Sequence, residues 1–264
     1  MNAWRGQRWW WRAAKFVVLV YVSAAAFAWW AADRLMFHPD HGSRRAPPGE
    51  VKITAEEGRE LSAIYLSNPT ARFTIWYFHG NAEDLGNLAP MLWAMHDAGF
   101  AVFAYDYPGY GRSGGSPSER SIFAATRAAL DYLRRAQAVL PERIVLYGTS
   151  LGGGAATELA VREPVAGLVL QSAFTSAYRV MTRWPLLPFD RFANLRKLPA
   201  VRCPVLVIHG DADEVVPFYH GEALYAAAPG RKTFVRVKAA GHHDLWSRMG
   251  DDYWRVLRTF TDSL

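Results

Sequence analysis

The stretch that decides the fold is Ile144-Val145-Leu146-Tyr147-Gly148-Thr149-Ser150-Leu151-Gly152-Gly153-Gly154. Its apolar first four residues predict a buried strand, and its small residues after 151 predict the start of a helix. The five residues 148–152 between them fit G-x-S-x-G, the pattern that presents a serine on a sharp turn from strand to helix. Glycines suit this turn because side chains at 148 and 152 would collide with neighbouring chain. The alternative interpretation is a glycine-rich turn with an incidental serine.

Short apolar runs alternate with helical stretches on both sides of this turn. The predicted strands are 51–54, 61–66, 74–78, 101–105, 144–147, 167–171, 205–209 and 233–237, and the predicted helices are 88–98, 118–135, 151–162, 217–228 and 251–263. Such alternation predicts right-handed crossovers and an α/β fold, with a mostly parallel eight-stranded sheet flanked by helices. The first two strands are joined by a short turn around Gly58, which predicts an antiparallel hairpin.

Two later loops supply partners for the serine. A serine hydroxyl is a poor nucleophile without a base. The loop at 209–214 reads His-Gly-Asp-Ala-Asp-Glu and follows the seventh predicted strand, and the loop at 241–244 reads Gly-His-His-Asp and follows the eighth. The order Ser150, Asp213, His242 is the serine, acid, histidine order expected for this topology.

On these residues the chain resembles the α/β-hydrolase superfamily over roughly residues 50–264. The resemblance rests on His79-Gly80-Asn81, on Asp106-Tyr107-Pro108-Gly109-Tyr110-Gly111-Arg112-Ser113, on the serine turn and on the two loops. It implies that Ser150 is the nucleophile, His242 the base and Asp213 the acid. Asp211 and Glu214 are the rival acids, and His243 is the rival base.

The resemblance also implies a mechanism and an oxyanion hole. Ser150 would attack an acyl carbonyl, and water would later hydrolyse the acyl-enzyme. One backbone N–H donor is expected from Leu151 and a second from Asn81. The alternative for Asn81 is a loop residue that only caps the next helix. This chemistry needs no cofactor and no metal, and the adjacent His242 and His243 lack the spacing of a metal site.

The segment 172–204 interrupts the alternation between the sixth and seventh strands. In the superfamily this insertion point carries a lid, and 33 residues would make a small one. Its apolar residues predict a wall for an acyl group, and the candidate substrate-binding residues are Phe174, Tyr178, Met181 and Trp184. A segment that packs on its own domain is an equally good interpretation.

The N-terminus has the pattern of a membrane anchor. Residues 1–32 hold four bases and no acid, so they account for four of the six net positive charges. They also hold six of the 11 tryptophans, which bracket an apolar run. A helix over 13–32 would span about 30 Å, the thickness of a bilayer core. The domain prediction is therefore a basic tail and transmembrane anchor at 1–32, a linker at 33–50 and a hydrolase domain at 51–264.

The bases precede the apolar run, so the positive-inside rule predicts a cytoplasmic N-terminus and a catalytic domain outside the cytoplasm, in the periplasm for a single-pass inner-membrane protein. One alternative is a signal peptide cleaved after Ala26 or Ala28, which would export the domain. A buried amphipathic helix of a soluble protein is the other. Because the basic charge lies in this tail, nucleic-acid binding is not expected.

The sequence thus predicts a serine hydrolase that acts on carboxylic esters or thioesters, with a small acyl-ester or lipid-like substrate. Its motifs most resemble a lineage that includes serine-aminopeptidase-like hydrolases and protein depalmitoylases. The depalmitoylases have a cysteine-rich acylated N-terminus, where this chain has a Trp- and Arg-flanked apolar span. One alternative is an aminopeptidase-like amide hydrolase with an acidic pocket from Glu119, Asp190 or Glu214. A non-catalytic binding module is the other, and the oligomeric state is open.

Overall fold

The first unit of the chain is one long helix. The computed structural model describes residues 3–55 and 58–264, and these fall into a unit that ends at Phe37 and a unit that runs from His38 to Leu264. Helix α1 (Ala3–Met36) continues four residues beyond the predicted end of the anchor at 32. In the part of the chain that the structure describes, one helix near the N-terminus is long and apolar enough to cross a membrane, judged by length and composition.

The second unit is built on an eight-stranded sheet. The strands are β1 (Glu50–Thr54), β2 (Glu60–Leu66), β3 (Thr74–Phe78), β4 (Ala101–Tyr105), β5 (Ile144–Thr149), β6 (Gly167–Gln171), β7 (Val205–Gly210) and β8 (Lys232–Val237). Their spatial order is β1-β2-β4-β3-β5-β6-β7-β8. β2 pairs antiparallel with β1 and with β4, and every later pairing is parallel. The mostly parallel sheet and its antiparallel first hairpin are confirmed.

Eight helices of the second unit connect the strands or follow them. They are α2 (Leu85–Asp97), α3 (Glu119–Ala136), α4 (Gly152–Arg162), α5 (Ala177–Met181), α6 (Asn194–Lys197), α7 (Tyr219–Ala227), α8 (Leu245–Met249) and α9 (Asp251–Asp262). The predicted start of the second helix at 88 was wrong because Asp84 and Asn87 form a capping box that begins α2 at Leu85. The short helices α5, α6 and α8 were not predicted, since five residues or fewer carry no readable 3.6-residue period.

The sheet is the centre of the core. Every residue of β3, β4, β5, β6 and β7 is buried, which explains why these strands are continuous apolar runs without alternation. Helices on both faces exclude water from the sheet, and Trp76 stacks on Phe78 at 4.9 Å between ring centroids. The parallel strands end at one edge of the sheet, so the loops that follow β3, β5, β7 and β8 meet there.

Candidate active site

Ser150 lies on a strained turn between β5 and α4. Its φ is +51°, in the left-handed region that non-glycine residues rarely adopt. A side chain on Gly148 would place its Cβ 2.6 Å from Gly153 Cα, and a side chain on Gly152 would collide with the carbonyl oxygen of Phe78. The turn therefore needs its two glycines because α4 begins against the end of β3. This packing, together with the hydrogen bond from the Ser150 N–H to the carbonyl of Gln171 at 2.9 Å, holds the serine at the edge of the sheet.

Ser150, His242 and Asp213 are brought into one chain of hydrogen bonds. Ser150 Oγ lies 3.0 Å from His242 Nε2, and His242 Nδ1 lies 2.8 Å from Asp213 Oδ2. The carboxylate can only accept, which assigns the proton of the neutral imidazole to Nδ1 and leaves Nε2 to accept from the serine hydroxyl. The sequence separations are 92 and 29 residues. This arrangement allows the imidazole to take the serine proton while the carboxylate stabilises the resulting imidazolium.

The rival residues lie outside this chain of bonds. Asp211 accepts from Arg236 Nε at 2.9 Å and from the N–H of Ala239 at 2.6 Å. Glu214 is exposed. The ring of His243 contacts the ring of His242 edge to face, with 4.7 Å between the centroids. Asp213 is therefore the acid that the fold delivers to the imidazole.

The Asp213 carboxylate is fixed by backbone donors as well. Its Oδ1 accepts from the N–H of Val215 at 3.0 Å and of Val216 at 2.7 Å. Burial raises the pKa of Asp213, but hydrogen bonding to His242, the His242 charge and the Val216 N–H outweigh burial, so the pKa lies below its ordinary value. The acid is consequently ionised at neutral pH, as an imidazolium partner must be.

A second histidine, His209, lies near Asp213. The sequence indicates it only as part of the loop 209–214 and predicts no role for it. Its Nε2 donates to the carbonyl of Val216 at 2.8 Å and lies 3.5 Å from Asp213 Oδ2. Burial lowers the pKa of His209. The neutral ring thus supports the turn that delivers the N–H groups to Asp213.

The two predicted oxyanion donors lie in the loops that follow β5 and β3. Leu151 immediately precedes α4, and Asn81 lies in the loop that follows β3. The side-chain Oδ1 of Asn81 accepts from Tyr110 Oη at 2.6 Å and from the N–H of His38 at 3.1 Å. Asp84, not Asn81, caps α2, so the capping alternative for Asn81 was wrong. The side chain of Asn81 instead holds the loop.

Glu83 in the same loop was missed by the sequence reasoning. Its Oε2 accepts from the N–H of Gly80 at 2.6 Å. Burial raises the pKa of Glu83, opposed by the Gly80 N–H and by the charges of His243 and His242. A Cβ added to Gly80 would lie 2.9 Å from Glu83 Oε2 and 3.8 Å from Ser150 Cβ. No local sequence pattern predicts the position of Glu83, because it depends on how closely the Gly80 backbone approaches Ser150 in the folded chain.

The motif that begins at Asp106 supports the loops around the site. Asp106 Oδ1 accepts from the N–H of Leu85 at 2.9 Å, and the hydroxyl of Ser113 donates to the Asp106 carbonyl at 2.7 Å. Burial raises the pKa of Asp106 to about 7. The glycines of this motif serve a loop, since α3 begins only at Glu119. Residues 109–114 also fit G-x-G-x-x-G, the pattern of dinucleotide-binding loops, but such a site would need the helix to open within the pattern.

The candidate substrate-binding residues have different environments. Phe174 is buried and Tyr178 is half-buried, whereas Met181 is 86% exposed and Trp184 is 70% exposed. The four side chains therefore do not form one buried apolar wall in this structure. At the other end of the segment Phe192 is fully buried, with its ring 5.7 Å from that of Phe123. The 172–204 segment thus packs on its own domain at this end.

The side chains that could bind a metal ion do not cluster in the part of the chain that the structure describes. Within 3–55 and 58–264 no group of three or more His, Cys, Asp or Glu side chains is arranged to hold a metal ion. His38 and His41, which the sequence pairs around Pro39-Asp40, stack their rings at 5.3 Å between centroids.

Comparison with known proteins shows which family this chain resembles. The profile of the serine aminopeptidase S33 family matches residues 69–195. An uncharacterized protein of Mycobacterium tuberculosis is 36% identical over 242 residues, which are 86% of each chain. The alpha/beta hydrolase domain-containing protein aho-3 of Caenorhabditis elegans is 39% identical over 224 residues, 81% of this chain. The chain spans 65% of the length of that relative.

A solved structure supports the same assignment at the level of the fold. The Pyrococcus furiosus esterase Pf2001 superposes with a TM-score of 0.67 at 17% sequence identity, over 81% of this chain and 91% of the esterase. The sheet order and the serine turn at the end of β5 fit the α/β-hydrolase fold, and the relatives with 36% and 39% identity match over most of this chain. The chain belongs to the α/β-hydrolase superfamily.

Proposed function

We propose that this protein is a serine hydrolase that cleaves carboxylic ester or thioester bonds through an acyl-enzyme. The observation that carries the proposal is the hydrogen-bonded series from Ser150 through His242 to Asp213, with distances of 3.0 and 2.8 Å. A nucleophile in contact with a base, and a base in contact with an orienting acid, is the geometry of nucleophilic acyl transfer.

The reaction follows from these contacts in two halves. His242 Nε2 takes the hydroxyl proton as Ser150 Oγ bonds to the acyl carbon, and the carbonyl electron pair moves onto oxygen. The N–H groups of Leu151 and Asn81 stabilise this oxyanion. When the tetrahedral intermediate collapses, His242 protonates the leaving alcohol or thiol. Water then attacks the acyl-enzyme with the same base, which releases the acid and restores Ser150.

Esters and thioesters are favoured over amides by the surroundings of the acids. An aminopeptidase needs a free carboxylate for the substrate amine. Glu119 accepts from the N–H of Phe192 at 2.8 Å, and Asp190 accepts from the hydroxyl of Ser176 and the N–H of Tyr178. Glu119 and Asp190 are therefore already engaged within the fold, which leaves the exposed Glu214 as the acid that an aminopeptidase would use. Met181 and Trp184, exposed apolar residues of the 172–204 segment, would suit contact with a lipid-like acyl group.

The nucleophile is tested with a fluorophosphonate probe, which labels activated serines. We expect labelling of the wild type and its loss in Ser150→Ala and His242→Ala. Asp211→Asn serves as the matched control and should label like the wild type. Labelling that survives Ser150→Ala would show that Ser150 is not the nucleophile. A panel of p-nitrophenyl esters of rising chain length, with thioesters and aminoacyl amides, then separates ester from amide chemistry, and exclusive amide turnover would contradict the proposal.

We also propose that α1 anchors the protein in the inner membrane with the catalytic unit in the periplasm. Three of its large apolar side chains, Phe16, Leu19 and Phe27, are at least 60% exposed. The bases of the tail precede this run, which favours a cytoplasmic N-terminus. A C-terminal alkaline phosphatase fusion should be active, and a C-terminal fluorescent protein that folds only in the cytoplasm should be dark. A mature chain that begins near residue 27 or 29 would instead support signal cleavage.

A further inference from the structure

The segment that leads into the catalytic unit contacts the loop that carries Asn81. This segment, residues 38–45, is called the strap here, and residues 80–84 are called the oxyanion loop. We propose that the strap is a positioning element for catalysis, which holds the oxyanion loop so that the Asn81 N–H meets the developing oxyanion. The inference rests on the serine hydrolase function proposed above. It adds a part of the chain 40 residues away from the loop in sequence.

The first contact is at the start of the strap. The N–H of His38 donates to Asn81 Oδ1 at 3.1 Å, and the hydroxyl of Tyr110 donates to the same oxygen at 2.6 Å. The His38 N–H also lies 3.3 Å from Tyr110 Oη. The side chain of Asn81 is therefore tied to two other segments, which restricts the peptide that bears its N–H.

The second contact is at the end of the oxyanion loop. Asp84 is fully buried, and its carboxylate accepts from the hydroxyl of Ser43 at 2.9 Å and from the N–H of Arg44 at 2.5 Å. The same carboxylate caps α2 through the N–H of Asn87 at 3.0 Å. Arg44 has a φ of +53°, in the left-handed region that is strained for a non-glycine residue. The strap adopts this conformation where its N–H meets the buried carboxylate.

The strap and the start of α2 are also closely packed around Asp84. A Cβ on Gly42 would lie 2.6 Å from Asp84 Oδ2 and 2.9 Å from Asp84 Cγ. A Cβ on Gly86, in the first turn of α2, would collide with the Ser43 hydroxyl. The strap and the loop thus approach each other with no room for a methyl group. At the other end of the loop, Glu83 holds the N–H of Gly80 at 2.6 Å, so Asn81 lies between two fixed points.

This restraint matters because oxyanion stabilisation depends on distance. A donor works when it lies about 2.7–3.1 Å from the oxyanion, and removing one donor typically costs 10²–10³ in kcat. A displacement of about 1 Å costs up to about 10²-fold. The strap's hydrogen bonds reach Asn81 and Asp84, at the two sides of the oxyanion loop, so its loss should affect the transition state more than substrate binding.

The test uses the full chain in detergent or nanodiscs with two strap variants. Gly42→Ala inserts a methyl group against Asp84, and the φ of −68° at Gly42 allows alanine without backbone strain. Ser43→Ala removes one hydrogen bond and adds no atoms. Gly114→Ala is the matched control, since its Cβ would meet only Glu60 O at an ordinary 3.7 Å. Active sites are counted by fluorophosphonate titration, so misfolded protein does not contribute to kcat.

We expect kcat per titrated site to fall about tenfold in Gly42→Ala and about threefold to tenfold in Ser43→Ala, with KM within twofold of wild type. The inhibition constant of a trifluoromethyl ketone, which forms an oxyanion on Ser150, should rise by the same factor as kcat falls. The inhibition constant of the product carboxylate should stay unchanged. Gly114→Ala should match the wild type in every constant.

The proposal is overturned if both strap variants keep kcat within twofold of wild type. It is also overturned if KM and both inhibition constants rise together, because that would indicate a general distortion of the site. A wild-type chain that neither labels nor turns over esters would instead contradict the proposed function, and the two failures are therefore distinct.

Discussion

The carboxylate of Asp213 joins His242 through a 2.8 Å contact between Oδ2 and Nδ1, while its other oxygen accepts the N–H groups of Val215 and Val216. Three donors thus converge on one acid, and two of them belong to the backbone. The acid cannot rotate without breaking these bonds. The His242 ring is therefore held in the tautomer that leaves Nε2 facing Ser150.

Replacing Asp213 by Asn should lower kcat by about 10⁴, because an amide can present an N–H to Nδ1 and stabilise the wrong tautomer. Asp211→Asn is the matched control two residues earlier and should keep kcat within threefold. Steady-state kinetics on a p-nitrophenyl ester measure both. If Asp213→Asn kept more than one tenth of the wild-type kcat, another residue would be the acid that orients His242.

Replacing Ser150 should separate activity from stability. Ser150→Ala and Ser150→Gly should both be inactive, but Ser150→Gly should be the more stable by about 1 kcal/mol, because glycine adopts the +51° φ without strain. Urea unfolding followed by circular dichroism measures the difference. An alanine variant as stable as the glycine variant would mean that the turn stores no strain.

Asp106 should make stability depend on pH. Its folded pKa is raised to about 7 by burial, so the folded chain binds the proton more tightly than the unfolded chain. Stability should therefore fall as pH rises from about 4 to about 7 and then level off. Asp106→Asn keeps an acceptor for the N–H of Leu85 but carries no proton equilibrium.

The difference in the free energy of unfolding between wild type and Asp106→Asn, measured in urea at several pH values, isolates this effect. On acidification from pH 8 to 5 the wild type should gain stability relative to the variant. A difference that is constant with pH would show that the carboxyl of Asp106 keeps its ordinary pKa.

The 172–204 segment between β6 and β7 should be stabilised mainly by packing near its C-terminal end. Phe192→Ala should cost about 3–5 kcal/mol, since its ring is fully buried against Phe123. Trp184→Ala should change stability by less than about 0.5 kcal/mol, because Trp184 is largely exposed. Urea midpoints at constant m-value check both, and equal costs would contradict this description of the segment.

Much of the fold was predictable because its signals are local. Short apolar runs rich in β-forming residues identified all eight strands, and their ends differed from the structure by at most two residues, as at β5 (Ile144–Thr149) against 144–147. The serine turn was predictable for the same reason, since Gly148, Ser150 and Gly152 are contiguous. The short helices α5, α6 and α8 were missed because five residues or fewer are too short for a 3.6-residue period to repeat.

The sequence by itself determined the strand order along the chain, the strained serine turn, and the two loops from which an acid and a base had to come. Only the tertiary structure decided that Asp213 and not Asp211 meets His242, that Glu83 holds Gly80, and that His38 is bonded to Asn81. These are contacts between side chains and backbone groups of distant segments. No periodicity or spacing encodes them, because they exist only once the sheet has brought the ends of its strands together.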